Sequence, residues 1–134
     1  MATDPSPQLQ VVLGWLDGFD RLDFDAANAC TTEDVMYEIL PASFGIAPFT
    51  KEGFKKHYET FITPTSEACK LHQTTVIDVI ENPGKMFING YSVYQPSGRK
   101  HEFNLRVNFE GDKIKLIKLF LDGQSAEEFG YMKA

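Results

Sequence analysis

A chain of 134 residues is the length of one domain, and 43% hydrophobic residues are enough to give that domain a buried core. The formal net charge of −6 argues against nucleic acid, because the densest basic group, Arg99-Lys100-His101, sits at an expected hairpin tip and reads as solvated turn charge. No run of about 18 apolar residues exists to cross a membrane, and Met1 to Gln10 is too polar for a secretory leader, so the chain is expected in the cytoplasm.

The two cysteines, Cys30 and Cys69, are then free thiols, and with no histidine at ligand spacing they make no zinc site; no metal is expected. Pro7 can open a helix, since its missing N–H costs nothing at the first position. Leu9, Val12, Leu13, Leu16 and Phe19 recur at helical spacing, with Asp17 and Gly18 off that face. Gly18 and Asp20 to Asp23 are expected to end this helix, and Asp23 to cap a short second one carrying Phe24, Ala27 and Cys30. Thr32 to Asp34 reads as a break. Val35 to Leu40 then alternates as a strand, with Val35, Tyr37 and Ile39 on one face, and Pro41 stops it.

Residues 41–49 are unusually apolar for a loop containing Pro and Gly, so they must lie against a cavity or a partner. Thr50 caps a third helix with Phe54, Tyr58, Phe61 and Ile62 in one stripe, closed at Thr63-Pro64. His57 lies one residue off that stripe and reads as surface. Four strands follow, Lys70 to Glu81, Met86 to Gln95, Lys100 to Glu110 and Lys113 to Asp122. Their joints are Asn82-Pro83-Gly84-Lys85, with the chemistry of a type II turn, then Pro96-Ser97-Gly98 and Gly111-Asp112. Ser125-x-x-Glu128 is a capping box for a terminal helical turn. In the last strand both alternating sets are apolar: Ile114, Leu116 and Phe120, and also Ile117, Leu119 and Leu121. Helices cover one face only, so a homodimer packed through the sheet is expected.

Three segments set in this order of elements carry a resemblance. They are Ile39-Leu40-Pro41-Ala42-Ser43-Phe44-Gly45, His101-Glu102-Phe103 before a Phe-ended strand, and Lys113-Ile114 leading to Phe120-Leu121-Asp122. The chain resembles the NTF2-like superfamily over nearly its whole length and, within it, the SnoaL-like group, particularly the small stand-alone proteins of fungi. The resemblance implies one α+β domain over residues 1–134, a cystatin-like roll or cone in which N-terminal helices pack on a strongly curved antiparallel sheet and enclose a pocket. It implies isomerases, cyclases, dehydratases and epoxide hydrolases that generally need no cofactor, beside members that only bind ligands or proteins. Set against the ketosteroid isomerase branch, Trp15 falls where that branch has its oxyanion-binding Tyr, Ile39 where it has its base, and Leu105 near its protonated acid. That branch's mechanism is therefore not expected.

An acid or base in an apolar cavity has a shifted pKa, so a titratable group facing inward is the feature to seek. Asp122, at the end of the last strand, is the first candidate, because SnoaL-like enzymes often place a working carboxylate in this region; its alternative is a turn or capping Asp. His72 is the second, with Tyr37 and Tyr58 as hydrogen-bonding orienters. The resemblance allows Glu102 as a buried carboxylate, but alternation puts it opposite Phe103 and so turned away from the pocket. The substrate-binding wall is expected from Trp15, Leu16, Phe19, Ile39, Phe54, Phe103, Leu105 and Phe120. The expected activity is cofactor-independent acid–base chemistry, an isomerisation, cyclisation or dehydration, on a small apolar polyketide- or terpenoid-like metabolite. The alternatives are a non-catalytic ligand- or protein-binding module and a structural dimer filled by its own Phe side chains.

Overall fold

The computed structural model describes residues 5–21, 23–61, 74–94, 98–128 and 131. In chain order they form α1 (Pro7–Asp20), α2 (Phe24–Asn28), β1 (Thr31–Leu40), a 3-10 turn (Ala42–Phe44), β2 (Phe49–Thr50) and α3 (Lys51–Phe61). Then come β3 (Thr74–Asn82), β4 (Lys85–Tyr94), β5 (Arg99–Glu110), β6 (Lys113–Leu121) and α4 (Gly123–Glu128). The expected end of the third helix at Thr63-Pro64, Cys69, the start of the strand from Lys70 and the turn residues Pro96-Ser97 lie outside the described residues.

Side-chain caps start the helices. Ser6 Oγ accepts the Leu9 N–H at 3.0 Å, Asp23 accepts the Ala26 N–H at 3.1 Å, and Thr50 Oγ1 accepts the Gly53 N–H at 3.1 Å. Each such cap contributes about 1 kcal/mol. Gly18 does not end α1. It is buried within the helix where α2 crosses, and a Cβ there would stand 2.7 Å from Ala27 N and 2.9 Å from Ala27 Cβ. Only a glycine lets the two helices meet that closely.

The sheet has six strands in the order β2-β1-β6-β5-β4-β3. Strands β3 to β6 form the antiparallel meander, with Gly84 and Gly111 at φ 78° and 59° in turns that require the left-handed region. The first strand differs from expectation twice. It starts at Thr31 instead of Val35, and it runs parallel to β6, with Tyr37 opposite Ile117 and Leu40 opposite Phe120. A register shift between Thr31 and Met36 masks the period of two that would have revealed its beginning. The apolar loop returns as β2, Phe49 opposite Tyr37, so its Phe44, Ile46 and Phe49 lie against the chain's own core.

Alternation divides the sheet into two faces. Val35, Tyr37, Ile39, Met86, Ile88, Phe103, Leu105, Val107 and Ile117 are buried against Val12, Trp15 and Phe54 of the helices. Full burial of a side chain of this size stabilises the fold by about 1.5–3 kcal/mol. Asn104, Arg106 and Asn108 take the opposite face, where Phe120 joins them, opposite Asn104 and 39% exposed. Phe120 is therefore not a wall of the interior. Ile114, expected beside it, is buried because the register slips between Asn108 and Phe109 and turns it inward. Among the described residues no helix is long and apolar enough to cross a membrane.

Candidate active site

Helices α1 and α3, strand β1 and the residue Tyr131 bring five rings into one column. Trp15 lies near-parallel to Tyr37 (6.2 Å, 20°), Tyr37 to Phe54 (4.0 Å, 6°), Phe54 to Tyr131 (6.3 Å, 13°) and Tyr131 to His57 (4.5 Å, 3°). Phe19 meets Trp15 and Phe54 edge-on at 5.0 and 5.6 Å. Offset-parallel and edge-to-face contacts are those that ring quadrupoles favour. Helical spacing places Trp15 with Phe19, and Phe54 with His57, on common faces. His57 is accordingly interior, at 8% exposure, and not a surface residue. Tyr131 is held over it by a turn in which the Tyr131 N–H donates to Ala126 O at 2.8 Å.

A second set of polar groups sits on the inner face of β4 and β5. The expected cluster at the hairpin tip divides: Arg99 and Lys100 are exposed, while His101 is 0% exposed. It stands two residues before Phe103, on the same side of the strand. Ser92, opposite His101 across the ladder, is also buried. Its Oγ lies 3.0 Å from Thr74 Oγ1, and Thr74 gives its hydroxyl (2.7 Å) and its N–H (2.8 Å) to the two carboxylate oxygens of Asp20. Burial pushes the Asp20 carboxyl up, the Thr74 bonds hold it down, and the charge of Asp17 adds to the rise. Trp15 Nε1 is buried with no hydrogen-bond acceptor among the described residues. Burial also raises the Cys30 thiol, against the opposing pull of Lys113, which leaves it protonated and unreactive at neutral pH.

Of the residues expected from sequence, Trp15, Tyr37, Ile39, Phe54, Phe103 and Leu105 are buried in this interior, and Leu16 and Phe19 pack half-buried against it. The inward-facing carboxylate is not found at Asp122. That residue is exposed and caps α4, accepting the Ser125 N–H at 2.7 Å and the Ser125 hydroxyl at 3.1 Å. The cap is thus Asp122 with Ser125 inside the helix, one turn earlier than the expected box. Glu102 points outward and accepts from Asn89 Nδ2 at 3.0 Å. His72 lies outside the described residues, as does the side chain of Tyr58, whose backbone belongs to α3.

Among the described residues no group of three His, Cys, Asp or Glu is placed to hold a metal ion. An open cleft of about 640 Å³ between α2, β1 and α3 is polar, lined by Asn28, Glu33, Thr50, Lys51, Lys55 and Lys56, and shares no residue with the aromatic column.

No protein-family model matches the sequence, and no curated protein matches it. Solved structures match it in shape. TerC, co-crystallised with polyporic acid, has a TM-score of 0.72 at 16% identity, over 92% of this chain and 98% of that one. An NTF2-like protein of unknown function from Burkholderia pseudomallei gives 0.70 at 18% identity, over 97% and 100%. A proposed ketosteroid isomerase from Kribbella flavida gives 0.69 at 12% identity, over 90% and 81%. These likenesses, together with the curved six-stranded sheet and the order of helices before meander, establish the fold of the chain as NTF2-like, of the cystatin-like α+β class.

Proposed function

We propose that the chain is a cofactor-independent enzyme performing acid–base chemistry on a small, flat, largely apolar metabolite held between the helices and the inner face of the sheet. The observation that carries this reading is the buried imidazole of His101, set opposite the buried Ser92 in an interior made mostly of rings and aliphatic side chains. An imidazole can both give and accept a proton. Trp15 supplies the second part. A buried donor without an acceptor costs about 1–3 kcal/mol, and a substrate carbonyl or phenolate oxygen would remove that cost. Its indole N–H stands where the resemblance puts an oxyanion-binding Tyr, and it can serve as a weaker donor to the same kind of atom. Isomerisation, cyclisation and dehydration all fit these parts.

Trp15 is the sole tryptophan, so its fluorescence reports on the interior directly. Planar phenols and quinones, with polyporic acid among them, should quench it saturably, and Trp15→Phe should remove the signal. In D2O the wild-type protein should catalyse deuterium uptake at an acidic carbon of a bound probe, read by mass spectrometry. His101→Leu should lower that uptake by about 100-fold, the scale of a general acid–base contribution. Asp122→Ala should leave uptake unchanged while costing about 1 kcal/mol of stability through the lost cap. Equal uptake with and without His101 removes it from the chemistry. A second reading, a non-catalytic binder, is favoured by the outward placement of Asp122 and Glu102 and requires quenching with no uptake.

The outer face of the sheet supports a homodimer. Phe87 and Ile80, 47% and 61% exposed, share this face with Phe120, and Arg106 Nε and Asn108 Oδ1 are buried without hydrogen-bond partners among the described residues. The same face carries Glu38 and Glu102 along with Arg106 and Lys118, so a twofold contact can pair opposite charges. Analytical ultracentrifugation should give twice the 15.1 kDa chain mass at micromolar concentration, and Phe87→Glu should give the monomer. A wild-type monomer under those conditions rules the dimer out.

A further inference from the structure

We infer that the recess walled by Phe49, Phe54 and His57 is a binding subsite for a planar aromatic ring, and that Tyr131 is its built-in occupant, displaced when a ligand enters. The subsite rests on the reading above, a flat metabolite held in this interior, and gives one ring of that metabolite its place. Tyr131 lies near-parallel to His57 (4.5 Å, 3°) and to Phe54 (6.3 Å, 13°), and meets Phe49 tilted at 6.1 Å and 57°. One ring thus answers three walls with the offset-parallel and tilted contacts that aromatic quadrupoles favour. It is buried as deeply as His57 itself.

The walls stand without their occupant. Phe54 and His57 are one turn apart on α3, which Thr50 caps through the Gly53 N–H. Phe49, one residue before that cap, is fixed by its pairing with Tyr37 across the β1–β2 ladder. Phe49 meets both of the others directly, at 5.8 Å and 66° from Phe54 and at 5.4 Å and 55° from His57. Tyr37, stacked on Phe54 at 4.0 Å, backs the recess from the sheet. A single stretch of chain, residues 49–57, therefore builds these walls by local rules, and the ring that fills them arrives from the far end of the sequence.

The occupant is tied elsewhere. Tyr131 follows α4, which is anchored on its own account, with Ser125 and Ala126 buried and Asp122 capping its first turn. The Tyr131 N–H donates to Ala126 O at 2.8 Å, a bond to that helix and not to the walls. A ring tethered in this way competes at an effective concentration on the order of millimolar. Ligands weaker than that leave it in place. Those that displace it gain contacts in the recess and in the adjoining interior together, which a fused or linked ring system can do and a single ring cannot. A closed state favoured about tenfold lowers the apparent affinity of every ligand about tenfold. Tyr131 is thus a specificity-determining residue, which admits extended aromatic ligands and turns single-ring metabolites away.

The test is fluorine NMR of the full chain labelled with fluorotyrosine, the Tyr131 signal being assigned by its loss in Tyr131→Phe. Titration with a hydroxynaphthoquinone should move that signal from its ring-stacked position to that of a solvent-exposed tyrosine, with the same midpoint as the quenching of Trp15. Tyr131→Ala, which vacates the recess, should bind the quinone about tenfold more tightly. Tyr131→Phe keeps the ring and should bind it as the wild type does. Should Tyr131→Ala not fold, Tyr131→Leu takes its place. An engineered hole would accept the quinone without any movement of the wild-type ring, so the fluorine signal separates displacement of an occupant from filling of a defect. A Tyr131 signal that stays in place while Trp15 is quenched to saturation overturns the subsite and leaves the proposed function standing. Equal, weaker or absent binding to Tyr131→Ala overturns it as well, since Tyr131 is then a wall and not an occupant. Displacement and tighter binding, with no deuterium uptake by any probe, keep the subsite and remove the catalytic reading.

Discussion

Replacing Tyr37 by alanine lowers the stability of the fold by about 4 kcal/mol, the middle of the range for deleting a buried aromatic ring. Tyr37 is 1% exposed, occupies the centre of β1 and touches rings on both sides, Trp15 at 6.2 Å and Phe54 at 4.0 Å. Its removal opens a void between two helices and the sheet, and the neighbours cannot close it without giving up their own contacts. Urea denaturation followed by the fluorescence of Trp15 measures the loss directly. A midpoint shift worth less than about 1.5 kcal/mol would show that the column can collapse over the gap and is not the centre of the core. Tyr37→Phe keeps the ring and should cost no more than about 1.5 kcal/mol, which separates packing from the hydroxyl.

The second large effect is expected at Gly90. It lies on the buried face of β4, where a Cβ would stand 2.5 Å from Thr75 O and 3.0 Å from Phe103 Cζ. The Phe ring can yield by a few tenths of an ångström. The carbonyl belongs to the neighbouring strand and cannot move without breaking the β3–β4 ladder, which is already bulged between Val76 and Asp78. Gly90→Val should therefore cost about 3 kcal/mol or more, the upper end for overpacking a core. Circular dichroism should then show the melting temperature falling by about 10 °C. A fall of less than about 2 °C would mean that the bulge absorbs the side chain, and that the close approach is not a constraint.

What could be read from sequence was whatever repeats locally. The stripe from Leu9 to Phe19 and the alternation of Phe103, Leu105 and Val107 both carry their period openly, and the alternation lies where that period puts it. The buried face of α1 is turned toward Val12, Trp15 and Gly18, with Leu9, Leu16 and Phe19 packed at its border. His101 obeys the same parity as Phe103. Its neighbours Arg99 and Lys100 hid this, because three basic residues after a turn look like a tip, while the strand in fact begins at Arg99. His57 is three residues after Phe54, a spacing that announces a shared helical face, yet it reads as surface when the stripe is drawn through Tyr58. Asp122 follows an apolar run and so looked inward, but the residue that ends a strand and starts a helix has its carboxylate claimed by the free N–H groups of the first turn. Phe120 was misassigned for a different reason: the slip between Asn108 and Phe109 lies in pairing, which leaves no mark on the sequence of either strand. The polar chain from Asp20 to Ser92 was equally illegible, since it joins residues 54 and 18 positions apart.

The parallel pairing of β1 with β6 has a consequence for synthesis on the ribosome. Apart from a two-residue partner in β2, the first strand has no neighbour until the last one has been made, as the register of Tyr37 with Ile117 requires. The nascent chain must therefore keep an apolar edge waiting while the whole meander emerges. Ordering so distant a pair is slow in proportion to the separation of its contacts. During that interval the unfinished edge is the most exposed invitation to pair with the wrong chain.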